Sequence, residues 1–234
     1  TMSNVPLSPC EQRLRSIPWH ALVGLAPLVT SALDSVLTSN APAERAIDRL
    51  LRTHKSLSSL ERQAVAEAVF GVALWRRRIA AQSGASRPTS LEMLGVFLRD
   101  VAGQNDAESI VGISLPAALP IPTKWADRYS MPSWLAAEID REVGAEAEVM
   151  ANALNLPAPI CLRANRLLTT RDALAQALSL RGVKTRAGQF APDCLVVTSP
   201  RPNLYALAGK LEGHFEVQDE GSQMLAELVD LKSG

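Results

Sequence analysis

Ile160-Cys161-Leu162-Arg163-Ala164-Asn165-Arg166-Leu167-Leu168-Thr169-Thr170-Arg171 is where the texture of this 234-residue chain changes. Ile160 to Arg163 reads as a short strand. Thr169 or Thr170 caps an amphipathic helix that runs to Leu180, and Gly182 closes it. Leu195-Val196-Val197 predicts a second strand, Asn203 to Leu207 a candidate third, and His214 to Val217 one more. Together they predict a compact α+β unit of about sixty residues, enough for a ferredoxin-like or RRM-like sheet with helices on one face. The boundary falls in Leu156-Pro157-Ala158-Pro159.

Upstream of that boundary the periodicity is helical. Trp19 to Leu37 places Leu22, Leu25, Val29, Leu33 and Val36 on one face, with Pro27 as a kink. Pro42 opens the next helix where a missing N–H costs nothing, and Ala46, Ile47, Leu50 and Leu51 form its apolar face. Ser58 and Glu61 form a capping box for a third helix reaching Ile79, and Thr89 and Glu92 cap a fourth that ends near Val101. Pro116, Pro120 and Pro122 break the connection that follows, and two helices near 132–143 and 145–155 finish at Pro157. The chain is thus α+β overall. Residues 1–18 are expected to be a disordered or tag-derived N-terminus, since Thr1 precedes Met2. Residues 19–156 form an all-α domain, 157–217 an α+β domain, and 218–234 a further helix.

The formal charge is zero, but its distribution is uneven. Lys plus Arg against Asp plus Glu runs 11 to 6 over residues 1–89, 4 to 10 over 90–151, 8 to 3 over 152–214 and 1 to 5 thereafter. Local basic surfaces fit this pattern better than a uniformly sticky protein. Cys10, Cys161 and Cys194 are too few and too scattered for a disulfide framework or a zinc site. No apolar run has the length of a bilayer span, and no signal pattern opens the chain. These features lead us to expect a cytoplasmic protein with no membrane partner and no metal.

Near the end, Gly213-His214-Phe215-Glu216-Val217-Gln218-Asp219-Glu220-Gly221-Ser222 runs from a strand into a helix. This tract resembles the "G-x-F-x-V-Q-D-E-(A/G)-S" segment of the RsmB/Nop/Sun family of RNA 5-methylcytosine methyltransferases. Leu162, Arg163, Asn165, Leu168, Thr169 or Thr170, and Arg171 stand where that family carries "L-R-x-N-x-L-K/R-T-x-R". Pro132-x-Trp134-Leu135 and Pro157-Ala158-Pro159 supply two more motifs in the same order, and Phe70-Gly71-Val72 with Trp75 is similar to the NusB-like helical domain of bacterial members. The resemblance covers about residues 45–234. It implies a NusB-like helical domain, then an RRM-like RNA-binding domain, then a helix leading into a Rossmann-like catalytic domain that binds S-adenosylmethionine.

On that resemblance, the expected RNA contacts are Arg163, Arg166, Arg171, Arg181, Lys184 and Arg186, with Arg76, Arg77 and Arg78 as a second basic edge. Each has a bland alternative: a solvated loop or helix end for the clusters, an internal salt bridge for Arg163. Asn165, Gln218, Asp219, Glu220 and Ser222 are expected to serve the joint between domains. The few aromatics in this region, Phe190, Tyr205 and Phe215, do not make the stacking platform of an RRM. The family's covalent mechanism needs a cysteine thiolate to attack the cytosine ring, and Cys10, Cys161 and Cys194 match neither of its cysteine motifs. No glycine-rich loop follows a strand anywhere in the chain.

The first reading is therefore an RNA-binding N-terminal part of an RNA (cytosine-5-)methyltransferase. It is expected to act as a monomer on ribosomal rather than transfer RNA, with no cofactor of its own and no catalytic residue. The competing reading is a stand-alone RNA-binding or assembly protein derived from such an enzyme. A purely protein-binding helical module explains residues 20–103 and leaves the basic α+β segment without a use. The coding sequence downstream of Gly234 separates the first two.

Overall fold

The computed structural model describes residues 9–39, 41–199, 207, 209 and 211–229. It divides into two compact units, Thr1–Leu156 and Pro157–Gly234.

The first unit is built around α4 (Ser59–Ser83), a 25-residue helix that opens on the Ser58/Glu61 capping box. Ala64, Val65, Ala68, Val69, Val72, Trp75 and Ile79 are all buried along it, so the helix is enclosed on more than a single stripe. Against it pack α2 (Ala26–Thr38), α3 (Ala43–Thr53) and α5 (Ser90–Val96). Gly71 is explained by its neighbour: a Cβ there would overlap the ring of Phe97. Phe97 also stands edge-on to Trp19, with ring centroids 5.7 Å apart. After α5 the backbone widens into a π-turn, Phe97–Val101, in which the Ala102 N–H reaches the Phe97 carbonyl at 2.9 Å. Such bulges re-aim the side chains that follow.

Disorder through residue 18 does not hold for residues 9–18. Pro9–Arg15 form α1, and Cys10, Leu14 and Ile17 bury an apolar stripe at helical spacing. Trp19 joins them, its indole N–H donating to the Leu14 carbonyl at 2.8 Å. Pro27 is also not a kink. Trp19–Leu22 is a separate 3-10 turn, and α2 starts at Ala26 with the proline in its first turn. The proline-bearing connection holds two short helices, α6 (Ala107–Val111) and α7 (Trp125–Arg128). α8 (Ser133–Val143) and α9 (Ala147–Leu154) follow, joined by a 3-10 turn. Ala126, Met131, Ala136 and Ala151 form a small core of their own beneath Trp125, Tyr129 and Leu135.

The second unit is a four-stranded antiparallel sheet of order β2-β3-β1-β4, from β1 (Cys161–Ala164), β2 (Thr185–Ala187), β3 (Cys194–Val197) and β4 (Phe215–Val217). α10 (Arg171–Ser179) crosses from β1 to β2, skipping the strand between them; this is the split βαβ plan of ferredoxin-like folds. Gly182, at φ 78°, turns the chain after α10 where a side chain would be strained. β2 escaped the sequence reading because Thr185-Arg186-Ala187 has no apolar alternation. The candidate strand at Asn203 to Leu207 lies outside the described residues up to Tyr205 and Ala206. Leu207 itself is helical and buried.

The register sorts the two faces. Leu162, Ala164, Leu195 and Phe215 face α10 through Leu174 and Leu178. Cys161, Cys194 and Val196 lie on the other face with Ala191. Over that second face comes the start of α11 (Glu220–Leu228), whose Gln223 is 3% exposed and lies beside Cys194.

Candidate nucleic-acid interface

Alternation along β1 and β2 decides which cations share a surface. Arg163 pairs in register with Cys194 on one side and Glu216 on the other. Arg186 pairs with Val196. All five therefore belong to the face opposite α10. In an RRM this face carries the aromatic residues on which bases stack. Here Cys161, Arg163, Cys194 and Val196 occupy it, and α11 covers part of it.

Arg163 is half-buried and lines a cleft of ≈ 240 Å³ with Asn165, Arg166, Asp193 and Glu227. Its side chain makes no hydrogen bond or ion pair among the described residues. Arg166 is different: its guanidinium is held by Asp193 and lies 3.5 Å from Glu227. The Asp193 bond holds the Arg166 guanidinium above its usual range. Arg171 is the first residue of α10 and sits 3.6 Å from Asp172.

The exposed rim lies at the other end of the sheet. Arg181 donates to the Ala177 carbonyl at 2.7 Å, which caps the end of α10 with a positive charge. Lys184 has its backbone fixed by Ser199, and its side chain projects into solvent. Arg186 is exposed in β2 and helps, at a distance, to hold the Glu220 carboxyl below its usual range. The main cause of that depression is a pair of backbone donors. The N–H groups of Phe190 and Ala191 reach Glu220 Oε1 at 2.7 and 3.1 Å.

The residues expected at the joint between domains are instead occupied inside the second unit. Asn165 donates to the Gly213 carbonyl at 2.8 Å and accepts from the Leu167 N–H at 3.0 Å, so it ties the end of β1 to the turn before β4. Asp219 caps α11 by accepting from the Gly221 N–H at 2.9 Å. Glu220 clamps the helix to the connection between β2 and β3. The Gln218 N–H donates to the Cys161 carbonyl, and its own carbonyl accepts from Gln223. Ser222 is exposed and makes no such bond.

The basic run on α4 is corrected most sharply. Arg78 is buried, paired with Glu11 at 2.8 Å, bonded to Gln82 at 3.0 Å and stacked 5.4 Å from the Trp75 ring centroid. Arg77 bonds to Asp127, to the Met131 carbonyl and to Ser133. Arg78 is withdrawn from any phosphate, whereas Arg77 is only partly exposed and has its Nε and Nη1 groups engaged. Helical rotation of about 100° per residue is the reason, and Arg76 is the exposed member of the three. Arg201 and Lys210 lie outside the described residues.

The three cysteines are all free and buried. Burial and the neighbouring Cys161 push the Cys194 thiol up to about 11. The approach of Cys161 and Cys194 on adjacent strands, diagonal to one another, is invisible in the sequence, where they are far apart. Among the described residues no group of acids, histidines and cysteines could hold a metal ion. No helix there is long and apolar enough to cross a membrane.

Residues 131–203 match the family model described as the Methyltr_RsmF/B-like, ferredoxin-like domain. That match includes α8 and α9 as well as β1 to β3. "Ribosomal RNA small subunit methyltransferase B" of Pseudomonas syringae pv. tomato is 32% identical over 148 residues, 63% of this chain and 31% of the relative. The protein of the same name from Citrobacter koseri is 33% identical over 96 residues, 41% of this chain and 22% of the relative. The aligned stretch thus spans under a third of these relatives. The solved structure described as "Crystal Structure of PH0851" covers 94% of this chain and 57% of its own, at a TM-score of 0.59 and 16% identity, a likeness of fold. On the strand order and these matches, residues 131–203 are similar to the RsmF/B-like ferredoxin-like domain, in a chain related in sequence to part of the ribosomal RNA small subunit methyltransferase B proteins.

Proposed function

We propose that the second unit tracks the backbone of ribosomal RNA for S-adenosylmethionine-dependent methylation of a cytosine at carbon 5. The observation that carries this reading is the exposed row of Arg181, Lys184 and Arg186 along the entry to β2, in a domain matched to RNA methyltransferases by name. Three cations on a rigid strand and its preceding turn neutralise phosphates without reading bases. Arg163 adds a fourth charge from inside its cleft. The sheet face that would stack bases is partly covered by α11 and has no aromatic residue on β1 or β3, so sequence selection must come from elsewhere. Cys194, buried and with its thiol pushed up to about 11, is unsuited to nucleophilic attack, which favours a binding role for this unit.

The test is the salt dependence of binding to a fragment of small-subunit ribosomal RNA. Replacing Arg181, Lys184 and Arg186 by alanine should weaken every RNA about equally. It should also flatten the slope of log K against log salt by about two, at roughly 0.7 per lost single-strand phosphate contact. A triple variant that binds as tightly as the parent at low salt would reduce this rim to a solvated loop.

A further inference from the structure

A cleft of ≈ 380 Å³ opens between α2 and α3 in the helical unit, lined by none of the cations considered above. Its floor is apolar, from Leu28, Ala32, Ala46 and Leu50; its rim carries Ser31, Arg49 and His54. α3 also presents Arg45, Arg49 and Arg52 at positions i, i+4 and i+7, one stripe of a helix. Arg52 is taken by Asp48 at 2.9 Å. Arg45 and Arg49 make no ion pair among the described residues, and Glu44 and Asp48 are the acids on this helix. The Ser35 and Thr53 hydroxyls, also on the rim, donate to helix carbonyls and keep lone pairs for accepting.

From this juxtaposition we infer that the cleft between α2 and α3 takes one unstacked nucleotide of an RNA strand. The base lies on the Leu28, Ala32, Ala46 and Leu50 floor, and the phosphate is held by Arg49 and Ser31. The volume suits a small planar ligand. Charge complementarity selects the occupant: an apolar peptide would fill the floor and leave the Arg49 guanidinium on the rim without a counter-charge, whereas a nucleotide brings a phosphate to it. The inference rests on the reading of this chain as RNA-binding but uses residues that reading does not involve.

The test is nuclear magnetic resonance on the whole chain, with uridine 5′-monophosphate and inorganic phosphate as separate probes. The nucleotide should shift the Ala32 and Ala46 methyl signals and the Ser31 amide. Arg49→Gln should weaken that binding about tenfold, the worth of one charge-assisted contact. Ser31→Phe, at an exposed position, should plug the mouth and abolish the shifts while the rest of the spectrum is kept. Inorganic phosphate shifting the floor methyls as strongly as the nucleotide would overturn base insertion. No shift with either probe would overturn the site altogether, even if RNA binding through Arg181, Lys184 and Arg186 holds in the salt experiment.

Discussion

Arg78→Met separates a structural arginine from an RNA-binding one. The Arg78 side chain is 3% exposed and that of Glu11 is 11% exposed, so solvent does little to screen the pair. Removing one partner of a buried ion pair costs about 3–5 kcal/mol, because the other charge keeps its desolvation penalty. Methionine preserves the apolar stem against Trp75, which places the cost near the lower end. The loss of donors to Gln82 and to the Asp100 carbonyl works in the other direction. At about 2–4 °C per kcal/mol for a unit of this size, the variant should melt roughly 6–12 °C below the parent. Calorimetry gives the melting temperature, and RNA titration on the same variant below its transition should show the parental salt slope. Glu11→Gln added to Arg78→Met should recover part of the loss. A variant that melts within about 1 °C of the parent and yet loses RNA affinity would refute the assignment.

Gly71→Ala, which would normally gain about 0.8–1.0 kcal/mol in a helix, should instead destabilise by roughly 1–3 kcal/mol because the new methyl overlaps Phe97; chemical denaturation decides the sign. The Glu220 carboxyl is held below its usual range, so its clamp stabilises the second unit above the ordinary carboxylate range and is lost as pH falls through the depressed value. The protection factors of the Phe190 and Ala191 amides, taken against the intrinsic rate at each pH, should therefore fall in acid, and Glu220→Gln should lower them already at neutral pH. Because the Cys194 thiol is pushed up to about 11, native protein should resist alkylation at neutral pH and react fully once unfolded, as mass spectrometry can read. Residues 1–234 should show no S-adenosylmethionine binding by calorimetry, since no glycine-rich loop follows a strand among them.

What could be read from the sequence was whatever local chemistry specifies. The Ser58/Glu61 and Thr89/Glu92 boxes start their helices where the letters place them, because a cap is a contact between residues three apart. Leu162 and Leu195 declare buried strands by composition. β2 does not, since its place in the sheet comes from pairing with β3 and not from apolar alternation. α1 is hard to read because its stripe of Cys10, Leu14 and Ile17 is short and sits in a stretch that otherwise reads as a disordered or tag-derived N-terminus. The site was less legible still. Three adjacent arginines look alike as letters, yet helical rotation sends Arg78 into the core, Arg77 onto Asp127 and Arg76 to water. Asn165 and Glu220 have long-range backbone partners, Gly213 and Phe190, that no local spacing encodes.

The strand order leaves β2 and β4 on the outside of the sheet, and each is three residues long. An exposed edge is an invitation for another chain to add a strand, and self-templated fibrils draw on segments of about six residues. Three residues offer too few open backbone groups to seed such growth. Each edge also carries an exposed charge at its centre, Arg186 on one side and Glu216 on the other. A copy adding β2 to β2, or β4 to β4, would have to bring two like charges together at the new seam. The same brevity that hid β2 from the sequence thus protects the sheet from edge-to-edge aggregation.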